Sequence, residues 1–267
     1  MPKYQMHNHT KQASACASID ASEYISYLKS EGYDGLFITD HFYHGNTCVN
    51  KNQTWSAFVR DYMKGYLKAK EEGYKQNFKV FFGVEEWFDG DEYLLYGIDE
   101  EFLLNHPEIK NWTREQMYNL VHQYGGCVIQ AHPLRDAYYL NHIYLNIDYT
   151  DGIEIINTHN SVSSNILSLA YGKHFGLNSI VGCDVHHKET LDKGLKAWIE
   201  YDKALESTYD FAKRILNKDF PKLHYPDINK DIVASNMLPI TMFNNGEREV
   251  TNTQLKQWVE EIGHKFR

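Results

Sequence analysis

The sequence predicts an α/β fold in which a mainly parallel sheet closes into a barrel, and three observations carry that expectation. Apolar strand-like runs alternate with segments of helical period along the chain. Five of these runs finish in residues able to bind metal: His7 with His9, Asp40 with His41, Glu85, His132, and Asp184 with His186, while Glu154 and Asn157 end a sixth. The first ending is His7-Asn8-His9, where the two-residue period of a strand turns both imidazoles to one face. In α/β barrels the C-terminal strand ends carry the chemistry, so these side chains are expected to converge on one rim.

Each element has its own local signal. After a strand over residues 3–6, Asp20-Ala21-Ser22-Glu23 reads as an N-cap with a glutamate three residues on, opening a helix on Tyr24, Ile25 and Leu28 that stops at Gly32. Residues 35–39 form a buried strand. Trp55, Phe58, Val59, Tyr62, Met63, Tyr66 and Leu67 keep helical spacing as far as Gly73, and residues 79–84 form the third strand. A turn at Asp89-Gly90-Asp91 returns the chain as a strand over 92–98. Thr113 and Gln116 make a capping box for a helix ending at Gly125-Gly126, followed by strands over 127–131 and 152–157, a helix over 166–175 and a strand over 179–183. The tyrosines between Tyr138 and Tyr149 alternate with Leu140, Ile143 and Leu145 and read as packing rather than as a stacking platform. A last helix after Thr251, with Leu255, Trp258, Val259 and Ile262, reads as packing on the barrel.

At 267 residues, with no low-complexity linker, the chain is expected to form a single domain over 1–267, of which 216–267 is an extension. Acidic residues outnumber basic ones by 36 to 27 for a net charge of -9, which argues against a broad nucleic-acid surface. Fourteen histidines, several beside Asp, Glu or Asn, point to metal instead. Cys16, Cys48, Cys127 and Cys183 show no metal-pair or disulfide spacing, and no apolar run reaches the length of a membrane span. The expectation is a cytoplasmic protein with no membrane contact, and no oligomeric state is assigned.

Taken together, His7-Asn8-His9-Thr10, Ile38-Thr39-Asp40-His41, Gly83-Val84-Glu85, Ala131-His132-Pro133 with Arg135, and Gly182-Cys183-Asp184-Val185-His186 resemble the PHP (polymerase and histidinol phosphatase) superfamily. The motifs lie within residues 4–187. The resemblance implies a distorted (βα)7 TIM-like barrel holding two or three divalent transition metals (Zn, Mn or Fe). By the same resemblance His7, His9 and Asp184 hold the first metal, and Glu85 bridges it to a second held by His132. Where the family usually has a further histidine, this chain offers Glu92. The third metal would take His41 and His186, and the nearest match to its remaining ligand is Cys16, which reads equally as a small buried residue; Asp20 and His44 are the alternatives.

The implied activity is hydrolysis of a small phosphomonoester (a nucleotide, a sugar phosphate or histidinol phosphate) by a metal-bound hydroxide. Arg135 is suited to bidentate contact with the phosphate, or else is an ordinary surface cation. His159 and His187 are candidates to protonate the leaving group. The rival readings are a metal-dependent exonuclease or phosphodiesterase, which the acidic balance disfavours, and a catalytically silent metal-stabilised binding domain. An amidohydrolase is disfavoured because no lysine stands at a strand end.

Overall fold

Buried strands alternating with capped helices set the order of the chain. The computed structural model describes residues 1–192, 195–228, 230–232 and 238–266. In chain order the elements are β1 (Lys3–Gln5), α1 (Glu23–Ser30), β2 (Gly35–Ile38), α2 (Trp55–Tyr62), α3 (Lys64–Gln76), β3 (Lys79–Phe88), β4 (Asp91–Tyr96), α4 (Glu100–Asn105), a 3-10 helix (Pro107–Asn111) and α5 (Arg114–Gln123). There follow β5 (Cys127–Ala131), β6 (Ile143–Asn146), β7 (Gly152–Asn157), α6 (Val162–Phe175), β8 (Ser179–Gly182), α7 (Lys188–Asp192), β9 (Trp198–Glu200), α8 (Thr208–Leu216), β10 (Lys222–His224), β11 (Ile240–Phe243), β12 (Glu247–Glu249) and α9 (Asn252–Glu261).

The main sheet runs β10-β9-β1-β2-β3-β4-β5-β7-β8. Just past β1 and β8 the chain pairs again: Asn8 bridges Val185 in parallel, with His9 N–H donating to Val185 O at 2.9 Å. The run β1-β2-β3-β4-β5-β7-β8 thereby closes into a barrel, while β9 pairs antiparallel with the start of β1 and β10 with β9. The expected barrel is the observed fold. It is distorted because β4, the return strand of the hairpin, lies antiparallel to both β3 and β5. The bottom of the barrel is filled by Phe211 of α8, whose ring lies 5.0 Å from that of Tyr96 and 5.2 Å from that of Phe37. Among the described residues, the groups able to hold a metal gather at the opposite end.

Local signals mostly act as read. Thr113 and Gln116 form the expected reciprocal capping box. Asp20 departs from it: Ser22 is the N-cap residue of α1 and makes no side-chain cap, while Asp20 Oδ1 accepts from the Ser22 N–H and hydroxyl. Lys68 and Lys11 draw the other Asp20 oxygen away from the helix start. The single helix read from Trp55 to Gly73 is two, meeting at Met63, and the second runs on to a left-handed Asn77. β11 pairs in parallel with β6 to form a second, small sheet with β12. α9 packs on α6, with Trp258 against Tyr171 and Phe175. Among the described residues no helix is long and apolar enough to cross a membrane.

Candidate metal centre

The strand ends at the closed seam carry His7 and His9, both fully buried, with their Nε2 atoms 3.1 Å apart. Each ring is aimed from behind. His7 Nδ1 meets the Glu154 carboxylate at 3.2 Å, and His9 Nδ1 meets Ser14 Oγ at 3.2 Å. Ser14 in turn donates to Asp40 (2.6 Å), which also accepts from the Thr10 N–H and hydroxyl. A carboxylate or hydroxyl behind an imidazole fixes which nitrogen faces a metal. Glycines make these approaches physically available: a Cβ at Gly182 would overlap Glu154 and lie 2.8 Å from His7 Cβ, and one at Gly65 would lie 2.8 Å from Asp40 Oδ2.

Around the pair stand three acids. Glu85 Oε1 is 3.1 Å from His7 Nε2 and 3.3 Å from His132 Nε2; its Oε2 is 3.3 Å from His9 Nε2 and 2.8 Å from His41 Nδ1. Asp184 Oδ1 lies 3.0 Å from His9 Nε2 and 3.4 Å from His186 Nδ1. Glu92 reaches His132 at 3.6 Å and His41 at 3.8 Å. His132 and Asp184 both adopt left-handed backbone (φ 27° and 51°), costly for residues with a Cβ, which turns their side chains inward as the strands end.

Four groups of three ligand atoms result: His7-His9-Asp184, His7-Glu85-His132, His41-Glu85-Glu92 and His9-His41-His186. The last three differ from the partition drawn from the sequence: His7 joins Glu85 and His132 where Glu92 was expected, His41 also faces the two glutamates, and His9 stands with His41 and His186. Cys16 is half-buried beside that last group. Its thiol is pushed up by burial, but hydrogen bonds with His186 and His41 outweigh this and hold it at about 6.

The residues fit metal ions. Both oxygens of Glu85 and of Asp184, His41 Nδ1 and His132 Nε2 are buried without a hydrogen-bond partner; the short approaches above lack hydrogen-bond geometry. Other unpaired buried polar atoms, such as Trp112 Nε1 and Tyr171 OH, are scattered through the fold, whereas these meet at one rim and include both oxygens of two carboxylates, a donor set suited to cations. The electrostatics agree. Burial opposes charge on His7, yet Glu85, Glu154 and Asp184 raise it well above its ordinary value, while His9, buried between His41 and His186, is driven well below. Against the cost of burial, nearby histidines hold Glu85 and Asp184 well below the usual carboxylate range. The acids are arranged for positive charge, and imidazole-carboxylate donors suit zinc, manganese or iron.

The centre opens into a cavity of about 560 Å³. Arg135 lines it, 3.6 Å from Asp184 Oδ2 and 3.8 Å from Glu92 Oε2. His159 lies beside His186 (ring centroids 5.4 Å), and His187 hydrogen-bonds Ser18 at the cavity edge. Burial lowers the His159 pKa, and His186, Arg135 and His132 add to this against Asp184. Of the alternative third-site residues, Asp20 is tied to Lys68 and Lys11, while His44 lines the cavity but is engaged by Glu86 and the Lys110 carbonyl. Sequence reasoning missed the supporting roles of Ser14 and Glu154. Glu154 was visible as a strand-end acid, but nothing in the order of residues says that it backs His7 instead of facing the cavity.

No protein-family model matches the sequence, and no curated protein matches it. Solved structures do. A two-domain protein from Bacteroides vulgatus containing a predicted PHP-like metal-dependent phosphoesterase is similar over 87% of this chain with a TM-score of 0.61 at 12% identity. This chain covers 66% of that protein, just under two thirds of its length. An amidohydrolase from Chromobacterium violaceum, with bound sulfate and no metal, is similar over 69% of this chain and 88% of its own, with a TM-score of 0.49 at 13% identity. The closed barrel and the first of these likenesses lead to one conclusion: the chain has the fold of the PHP-like metal-dependent phosphoesterases.

Proposed function

We propose that the chain is a hydrolase that cleaves a small phosphomonoester with two or three divalent transition metals. The observation that carries this reading is the set of orphaned, buried carboxylate and imidazole atoms at one strand-end rim, open to a cavity that Arg135 shares. His7, His9, Glu85, His132 and Asp184 would hold two ions, and His41 and His186, with Glu92 and Cys16 beside them, a third. Bound there, the metals supply Lewis-acid neutralisation of phosphoryl charge and a water nucleophile activated at neutral pH.

The chain's own groups supply the rest. Arg135, within reach of Asp184 and Glu92 but bonded tightly to neither, can turn its guanidinium to two phosphoryl oxygens and fix the ester for in-line attack. His159, kept neutral at pH 7 by burial and by neighbouring cations, offers the leaving oxygen a hydrogen bond. Glu154 and Ser14 hold the two imidazoles still. The test is a panel of phosphomonoesters and phosphodiesters with manganese, zinc and iron. Monoester turnover that chelation abolishes supports the reading; metal-loaded protein that cleaves only diesters, or nothing, overturns it.

A further inference from the structure

The geometry points to an aromatic subsite at the mouth of the cavity, so that the preferred substrate carries a planar aromatic group on the far side of its phosphoryl. This rests on the proposed phosphoesterase reading only for the position of the phosphoryl at the metal end.

The tyrosines from Tyr138 to Tyr149 read as packing in the sequence, and the structure divides them. Tyr144 and Tyr149 do pack, Tyr144 stacking on Phe243 and Tyr149 standing against Tyr118. Tyr138 is fully exposed and Tyr139 about half exposed, yet both line the same cavity as the ligands His41 and His186. Their rings meet edge to face at 5.4 Å, and Arg135 lies over Tyr139 at 5.8 Å from its centroid. A strand-borne aromatic, Trp87, also lines the cavity, two residues beyond Glu85 on β3 and opposite Glu92 in the hairpin register. The fold gains nothing from leaving a tyrosine ring in water, whereas a ring at the lip of a binding cavity supplies a sequence-tolerant face for stacking.

The arrangement has a direction. Arg135 joins the two halves: its guanidinium faces the acids of the centre on one side and the Tyr139 ring on the other. A phosphoryl held at the inner end leaves its ester group beside Tyr139, Tyr138 and Trp87. At about 560 Å³ the cavity lies in the range that encloses a whole small ligand, not a phosphate alone. A sugar without a base, or a short polyol, would leave the aromatic faces unused.

Non-hydrolysable probes separate this inference from the reaction itself. Phenylphosphonate and methylphosphonate carry the same head group on a carbon that no phosphatase cleaves. Calorimetry on the manganese-loaded protein should find phenylphosphonate bound about tenfold or more tighter. Tyr138→Ala and Trp87→Ala should each pull that ratio towards one; Tyr138 is wholly exposed, so its truncation leaves packing intact. A ratio below about twofold in the wild type, or a high ratio that neither variant changes, overturns the subsite. Absence of turnover on every ester in the panel, with the phenyl preference intact, would instead overturn the phosphoesterase reading alone.

Discussion

Two buried acids stand side by side just past the parallel pairing of β2 with β3, and the chain treats them in opposite ways. Asp40 and Glu85 are 2% and 1% exposed, and the Glu85 N–H donates to the Asp40 carbonyl. Asp40 accepts three hydrogen bonds from Thr10 and Ser14; burial still dominates and pushes its carboxyl up to about 6. Glu85 has no hydrogen-bond donor at either oxygen and is ringed by His7, His9, His41 and His132. The polypeptide satisfies one acid completely and leaves the other to an outside cation. Burial and strand position, which the two share, do not distinguish a brace from a ligand; the inventory of donors does.

Removing the charge without changing the shape tests that distinction at each end. Glu85→Gln should lose bound metal and lower kcat/KM by about a thousandfold, roughly 4 kcal/mol of transition-state stabilisation, as read by elemental analysis and steady-state kinetics. Arg135→Ala should keep its metals and cost about 2 to 3 kcal/mol through weaker phosphoryl contact; kinetics equal to wild type would return Arg135 to the role of a surface cation. Glu154→Gln touches neither cavity nor substrate, yet should weaken metal affinity by about 10- to 100-fold, measured by competition with a chelator dye, because the His7 ring loses the carboxylate behind it. Asp40→Asn should be the mildest. The Thr10 hydroxyl can rotate to accept from the new amide, so metal content stays unchanged and stability falls by about 1 kcal/mol in urea unfolding.

The fold was legible because strand, helix and cap signals are local and the barrel repeats them. The residues that gather at the rim were legible for a related reason: a two-residue strand period fixes the face of His7 and His9, and the ends of apolar runs nominate Glu85, His132 and Asp184. What escaped depends on groups that meet only in space. Met63 keeps helical backbone (φ -65°, ψ -14°), so the apolar period passes through the junction of α2 and α3 without a mark. Glu154 and Asp40 resemble ligands in sequence, and only their hydrogen-bond partners show them to be supports. Tyr138 and Tyr139 sit among apolar neighbours in sequence, but the loop beyond His132 swings them over the cavity.

The central claim is that this rim is built around cations that the polypeptide does not provide. Elemental analysis of the purified protein, before and after exhaustive chelation and with unfolding temperature followed in parallel, tests it most directly. Purified protein should carry at least two transition-metal ions per chain. Their removal should abolish phosphomonoester hydrolysis and lower the unfolding temperature by several degrees, on the order of 3 kcal/mol of linked stability. Protein that holds no metal, and whose activity and unfolding temperature survive chelation unchanged, would contradict it.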